Sequence, residues 1–203
     1  LMSSLGTMII PRARLDGAPE LSDEQRQYLR RVNAEHESIF DAIRTGPRGV
    51  VEGPLRVWLT SPGLADTAQA LGAFCRYGTS LPPRLSELAI LVTGAFWASG
   101  FEWAVHAPIA RKAGLSDAVI EAIRQGQTPG FLHEDEAIIH AFASELHRDH
   151  KVQPATYARA TAAFGEQAVV ELVGILGYYT LISMTINAFE VPLPAGAPDP
   201  FPT

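Results

Sequence analysis

Four polar side chains, Glu87, Ser99, Glu102 and His106, sit in the stretch from Leu85 to Gly114, which opens with an apolar run. Glu87 is the only charged residue between Leu85 and Phe101. An ionised carboxyl in such company costs several kcal/mol unless something pairs with it or hydrogen-bonds to it, or else it holds its proton. On a helix turning about 100° per residue, offsets of three and seven from Ser99 bring Glu102 and His106 within an arc of about 60° of it. Two carboxyls and an imidazole on neighbouring segments are suited to moving protons. The imidazole titrates near neutrality, and a carboxyl one turn earlier can orient it or raise its pKa. Plainer accounts exist for each residue. Glu102 and His106 would also make an ordinary i, i+4 surface pair, Glu87 could pair with Arg84 or Arg111, and Ser99 could cap a helix start.

Positioning these groups requires two consecutive helices. Pro82 and Pro83 suit a first helical turn, so one helix is expected from about Arg84 to Trp97. Gly100 marks a break. A second helix then runs through Ala113 and stops at Gly114, bending if it is to accommodate Pro108. Upstream, Pro11, Gly17 and Pro19 give residues 1–20 the character of an extended lead-in. Ser22 with Gln25 opens a capping box for an amphipathic helix that ends at Thr45-Gly46-Pro47. Residues 48–63 read as loop with a short helical turn. Leu64 to Tyr77 reads as a helix carrying Leu64, Leu71, Phe74 and Cys75 inward. Downstream, Ser116-Asp117 caps a short helix to Arg124, Glu134 to Asp149 is strongly periodic, and Gln153 to Phe164 is helical. Gly165 then leads into the most apolar segment, Ala168 to Phe189. That segment is long enough to span a bilayer. Glu171, Asn187 and its tyrosines are spread around its circumference without flanking basic clusters, so it reads as a helix buried in a bundle or a subunit interface rather than a membrane span.

With 203 residues, 47% of them hydrophobic and 19% charged, the chain suits one all-α domain over residues 21–193, followed by a proline-rich tail over 194–203. The surplus of apolar helix faces points to a homo-oligomer. A formal charge of −6 and near-absence of lysine argue against nucleic acid as a partner. The lone Cys75 precludes an internal disulfide or dithiol pair and suits a reducing cytoplasm. His133, His140 and His147 share a helix face, but seven residues span roughly 10.5 Å, too far for neighbouring positions to hold one ion. No metal site is expected. No glycine-rich phosphate loop or nucleophile elbow is present.

The order Glu87, Ser99, Glu102, His106, at spacings of twelve, three and four, resembles the signature helix pair of the carboxymuconolactone decarboxylase and alkylhydroperoxidase D (AhpD-like) superfamily. The segments FEWAVHAPIARKAGLSDAVIEAI and VVELVGILGYYTLISMTINAF are similar to decarboxylase members as well. The resemblance covers about residues 25 to 193. It implies a compact AhpD-like helical bundle, assembled as a dimer, trimer or hexamer, that needs no metal or organic cofactor. Where the peroxidase branch has two cysteines this chain has Ser99 and Glu102, so dithiol peroxidase chemistry is not expected. What is implied is a lyase that decarboxylates a small carboxylated lactone or related unsaturated acid. His106 would be its proton donor, Glu102 the partner of His106, and Glu87 a relay. Ser99, Trp97 and Trp103, with Phe101, would contact the substrate. The alternative is a helical oligomer that binds a small molecule or protein without turnover.

Overall fold

The computed structural model describes residues 53–202. The lead-in and the helix expected to end at Thr45-Gly46-Pro47 lie outside them. Among the described residues there are seven α-helices and no strand. They are α1 Pro54–Trp58, α2 Pro62–Ala73, α3 Pro83–Phe96, α4 Gly100–Lys112, α5 Asp117–Arg124, α6 Glu134–Asp149 and α7 Pro154–Ala188. A π-helical turn, Phe74–Gly78, continues directly from α2.

The middle of the bundle is α3. Pro83 occupies its first turn and Pro82 precedes it in extended conformation, so the ring without an N–H falls where no helical bond is lost. Every residue from Leu85 to Gly94 is buried, because α4, α6 and α7 all pack against this helix. Its apolar side chains, Leu85, Leu88, Ile90 and Leu91 among them, each contribute about 1.5–3 kcal/mol by leaving water. α3 ends at a tight reversal. Ala98 takes φ 46°, and the Ser99 N–H reaches back to the Gly94 carbonyl at 2.8 Å. The chain re-enters helix at Gly100 and folds α4 back against α3. α4 continues through Pro108, and Gly114 closes it at φ 103°. The Ser116 hydroxyl accepts from the Val119 N–H and caps α5, as its sequence suggests.

The apolar face of α2 differs from the expected one. Ala65, Ala68 and Gly72 face the core, whereas Leu64, Leu71 and Phe74 are close to half exposed; of the four residues expected inward only Cys75 is buried. The reason is close packing. Small residues let α2 approach α7, to the point that a Cβ on Gly72 would lie 2.2 Å from the Tyr178 hydroxyl. Burial here follows residue size rather than hydropathy.

α7 contains the break foreseen at Gly165, whose φ of 83° and ψ of 164° are open to glycine and not to other residues. By length and composition α7 could cross a membrane, and 61% of its most apolar window is buried within the bundle. Its one central charge, Glu171, accepts from both the N–H and the hydroxyl of Ser80 at 2.7 Å and from Gln167 at 2.8 Å. The proline-rich tail docks on its own chain. Phe201 packs edge-on against Trp103 at 5.4 Å, and Arg124 donates to the Pro200 carbonyl at 2.8 Å.

Candidate functional site

α3 supplies Glu87 and α4 supplies Glu102 and His106, and the reversal at 97–99 brings the three together in the interior. Each is at most 5% exposed. His106 Nδ1 lies 2.8 Å from Glu87 Oε2 in a hydrogen bond. On the other side of the ring, Nε2 lies 3.1 Å from Glu102 Oε1, within ion-pair distance but without hydrogen-bond geometry, which leaves that oxygen without a hydrogen-bond partner. The imidazole is therefore held between two carboxyls. Neither arginine proposed for Glu87 competes for it. Arg84 is committed to Asp135 at 2.7 Å and to the buried Glu136, and Arg111 to Asp117 at 2.6 Å.

These positions change the acidity of the groups. Burial raises the Glu102 pKa, the positive charge of His106 opposes that and Glu87 adds to it, and the outcome is about 7. For His106 burial is the largest influence and favours the neutral ring. The charges of Glu87 and Glu102, with the Glu87 hydrogen bond, outweigh it, so the net shift is upward. Tyr179 lies edge-on to the His106 ring at 5.0 Å, and burial followed by the two glutamates pushes its hydroxyl well above the ordinary range.

A cavity of about 120 Å³ opens onto this cluster. Glu102 and His106 line it, whereas Glu87 does not and lies behind the ring. The remaining walls come from three places. α1 contributes Leu55 and Trp58, α7 contributes Tyr178, Tyr179 and Ile182, and α2 with the π-turn contributes Gln69, Gly72 and Arg76. Phe101 also borders it, in keeping with its expected place as a wall. Ser99, Trp97 and Trp103 do not border it. Ser99 is fully buried at the α3–α4 reversal, where its hydroxyl neither caps α4 nor meets another polar group. The Trp97 carbonyl accepts from Asn187 at 2.6 Å, and Trp103 faces the C-terminal tail. Ser99, a member of the motif, was expected to offer its hydroxyl to the substrate, and the two tryptophans to wall its pocket. Trp97 and Ser99 instead belong to the reversal between the two helices, and Trp103 packs on Phe201.

Sequence reasoning missed Trp58, Gln69, Arg76, Tyr178 and Tyr179 as site residues. The tyrosine pair was visible as a polar break in the most apolar helix, and Gln69, Gly72, Ala73 and Arg76 follow the 3.6-residue period of a single face. Nothing in the sequence tied either set to the α4 motif. The histidines of α6 are engaged elsewhere. His147 Nε2 is 2.9 Å from the Thr93 hydroxyl and its ring stacks on Phe96, while His140 packs beside Phe131.

Residues 62–143, which include the whole cluster, match the carboxymuconolactone decarboxylase family. No curated protein matches the sequence. Solved structures with the same fold include a peroxidase-related protein from Silicibacter sp. TM1040, at TM-score 0.67 and 14% identity, covering 91% of this chain and 93% of that one. Another is an Agrobacterium tumefaciens protein of unknown function described as an AhpD-type antioxidant-defence candidate, at TM-score 0.61 and 16% identity over 71% of this chain and 99% of that one. A third is a cysteine-to-alanine variant of the debrominase Bmp8 in complex with 2,3,4-tribromopyrrole, at TM-score 0.67 and 14% identity over 88% and 93%.

Proposed function

We propose, for a chain whose residues 62–143 match the carboxymuconolactone decarboxylase family and whose fold is AhpD-like, a cofactor-free carbon–carbon lyase reaction on a small carboxylated lactone or related unsaturated acid. One observation carries the reading: a carboxyl that holds its proton up to about pH 7, Glu102, lines a cavity and is backed by the Glu87–His106 pair. Dithiol peroxidation lacks its thiols, since Ser99 and Glu102 stand at the cysteine positions of the motif and Cys75 is a lone buried residue.

In the proposed reaction the bond between the ring carbon and its carboxylate breaks and carbon dioxide leaves. The electron pair of that bond passes into the conjugated lactone carbonyl and forms a dienolate. The dienolate then takes a proton at carbon. Both ring nitrogens of His106 face carboxyls, so Glu102 is the group that meets substrate and gives up the proton. His106, which takes its proton from water in the cavity, returns one to Glu102 through Nε2, and Glu87 holds the ring from behind. On this reading the last transfer belongs to Glu102 rather than to His106, the donor that the resemblance implied. A half-exposed apolar stripe on α2 and α7 supports assembly of the working protein as a homo-oligomer.

Ultraviolet measurement of γ-carboxymuconolactone consumption, run beside a peroxide assay with a dithiol reductant, tests the reading. Lactone turnover without peroxidase activity is expected. His106→Ala abolishes turnover while circular dichroism still reports a helical fold; full activity in that variant would remove the cluster from the reaction. If the wild type consumes no acidic lactone, the non-catalytic binding protein becomes the better account.

A further inference from the structure

Glu102 borders the cavity from α4 and Tyr179 borders it from α7, and each is 3% exposed. Glu102 Oε1 lacks a hydrogen bond, and the Tyr179 hydroxyl has none among the described residues. Both adjoin the His106 ring, with Oε1 3.1 Å from Nε2 and the tyrosine ring edge-on at 5.0 Å. Buried polar groups left unpaired are uncommon in native folds, and a polar ligand in the cavity would meet both. Much of the remaining wall is apolar. Leu55, Trp58, Phe101 and Ile182 help to enclose about 120 Å³, which suits a small flat ring.

The dienolate of the lyase reaction can be reached by a second route. Loss of carbon dioxide and loss of a proton from carbon leave the same electron pair in the same conjugated carbonyl. By microscopic reversibility, the acid that puts a proton on the dienolate is, once ionised, the base that takes one off. Charge collects on the carbonyl oxygen in either case. Burial, followed by the charges of Glu102 and Glu87, keeps the Tyr179 hydroxyl protonated, so it meets that oxygen as a donor. A substrate without a departing carboxylate therefore finds in this cavity a base for its carbon acid and a donor for its enolate.

We propose that the same cavity also isomerises neutral unsaturated lactones, moving a ring double bond into conjugation with the carbonyl, with Glu102 as proton carrier and Tyr179 as donor to the carbonyl oxygen. The Glu102 carboxylate takes a proton from the carbon between carbonyl and double bond, and the electron pair of that bond passes into the carbonyl as a dienolate. Glu102 then returns the proton at the far end of the dienolate, the carbonyl re-forms, and the double bond has shifted. No atom or electron is gained or lost. The proposal rests on the proton carrier of the lyase reading and not on the loss of carbon dioxide.

The probe is α-angelica lactone, a neutral five-membered ring whose double bond lies out of conjugation, and the conjugated product is followed by ultraviolet absorbance and identified by proton resonance. The full-length chain should convert it at least about 10²-fold faster than buffer at the same pH. Glu102→Gln should remove at least about 10²-fold of the enzymatic rate, and Tyr179→Phe should lower kcat by about 10²-fold while KM changes little. Around Glu102 stand Glu87 of α3, His106 of its own helix, Arg76 of the π-turn and Tyr179 of α7. Isomerisation starts from the ionised carboxylate, so its kcat should climb as pH passes about 7, where decarboxylation, which starts from the acid, falls. A wild-type rate equal to buffer overturns the proposal, as does undiminished conversion by Glu102→Gln with helical circular dichroism intact. An unchanged kcat in Tyr179→Phe overturns the donor's assignment. Consumption of γ-carboxymuconolactone without isomerisation would leave the lyase reading standing alone, and isomerisation without that consumption would refute the lyase and keep the proposal.

Discussion

Glu102 behaves as an acid because of where it is, and that makes its effect on pH dependence specific. Its folded pKa of about 7 lies above the ordinary carboxyl value of 4.5. The folded protein therefore binds more protons than the unfolded chain between those values, and stability falls as pH rises from about 4.5 through about 7. The raised pKa of His106 acts with the same sign above 6.5, whereas burial lowers His140 and His147, which act oppositely. The difference between wild type and Glu102→Gln isolates the first contribution. Thermal melts should show the wild type losing ground to the variant as pH rises from 5 to 8, with a parallel pair of curves as the disproof. In kinetics the same substitution keeps shape and hydrogen-bonding capacity but removes the proton, so turnover should fall by about 10²-fold or more. The wild-type kcat should decline as pH passes about 7. A wild-type-like rate in Glu102→Gln would return the last transfer to another group.

At the scale of elements, the helices from α3 onward were legible because their signals are local. Pro83 at a first turn, Ser116 before α5, Gly114 and Gly165 as breaks, and the periodicity of α6 each act within a few residues. The Glu87, Glu102 and His106 cluster was legible for the same reason, since two consecutive helices joined by a short reversal fix its geometry. The far wall of the cavity was not, because it comes from segments distant in sequence, Trp58 and Gln69 on one side and Tyr178 to Ile182 on the other, whose approach depends on packing. Gly72 illustrates this. In sequence it is an unremarked residue in α2, yet its missing side chain gives Tyr178 its place beside the cavity. Gly72→Ala forces the tyrosine to move, and we expect a KM for substrate at least about tenfold higher, with thermal stability changed by about 1–3 kcal/mol through overpacking. An unchanged KM would mean that the tyrosine has room to retreat without entering the cavity. The error over Leu64, Leu71 and Phe74 has the same origin, because hydropathy does not reveal that smaller neighbours win the core when helices pack closely.

At the scale of the whole molecule, the described residues leave apolar surface that their core does not use. Val170 is 72% exposed, and Val173, Met184, Leu71 and Phe74 are each over 40% exposed, all on α2, the π-turn and the outer face of α7. Leu71, Phe74 and Val170 line one shallow groove. We propose this groove as an association surface between copies of the chain. With the surplus of apolar helix faces noted in the sequence, it supports self-association as the function of this side. Val170→Glu places a charge in the groove beside Glu166 and Glu171. Light scattering coupled to size exclusion should show the wild type as a dimer, trimer or hexamer and the variant shifted toward monomer, with a wild-type mass in the variant ruling out this face.

Because Glu102 enters the cavity from a single helix, a flat intermediate lying there has only one side within its reach. Product formed in heavy water should carry deuterium in one configuration at the newly made carbon–hydrogen bond, so that a methylene centre becomes chiral by isotope alone. Racemic label would mean that bulk water, rather than the protein, finishes the reaction.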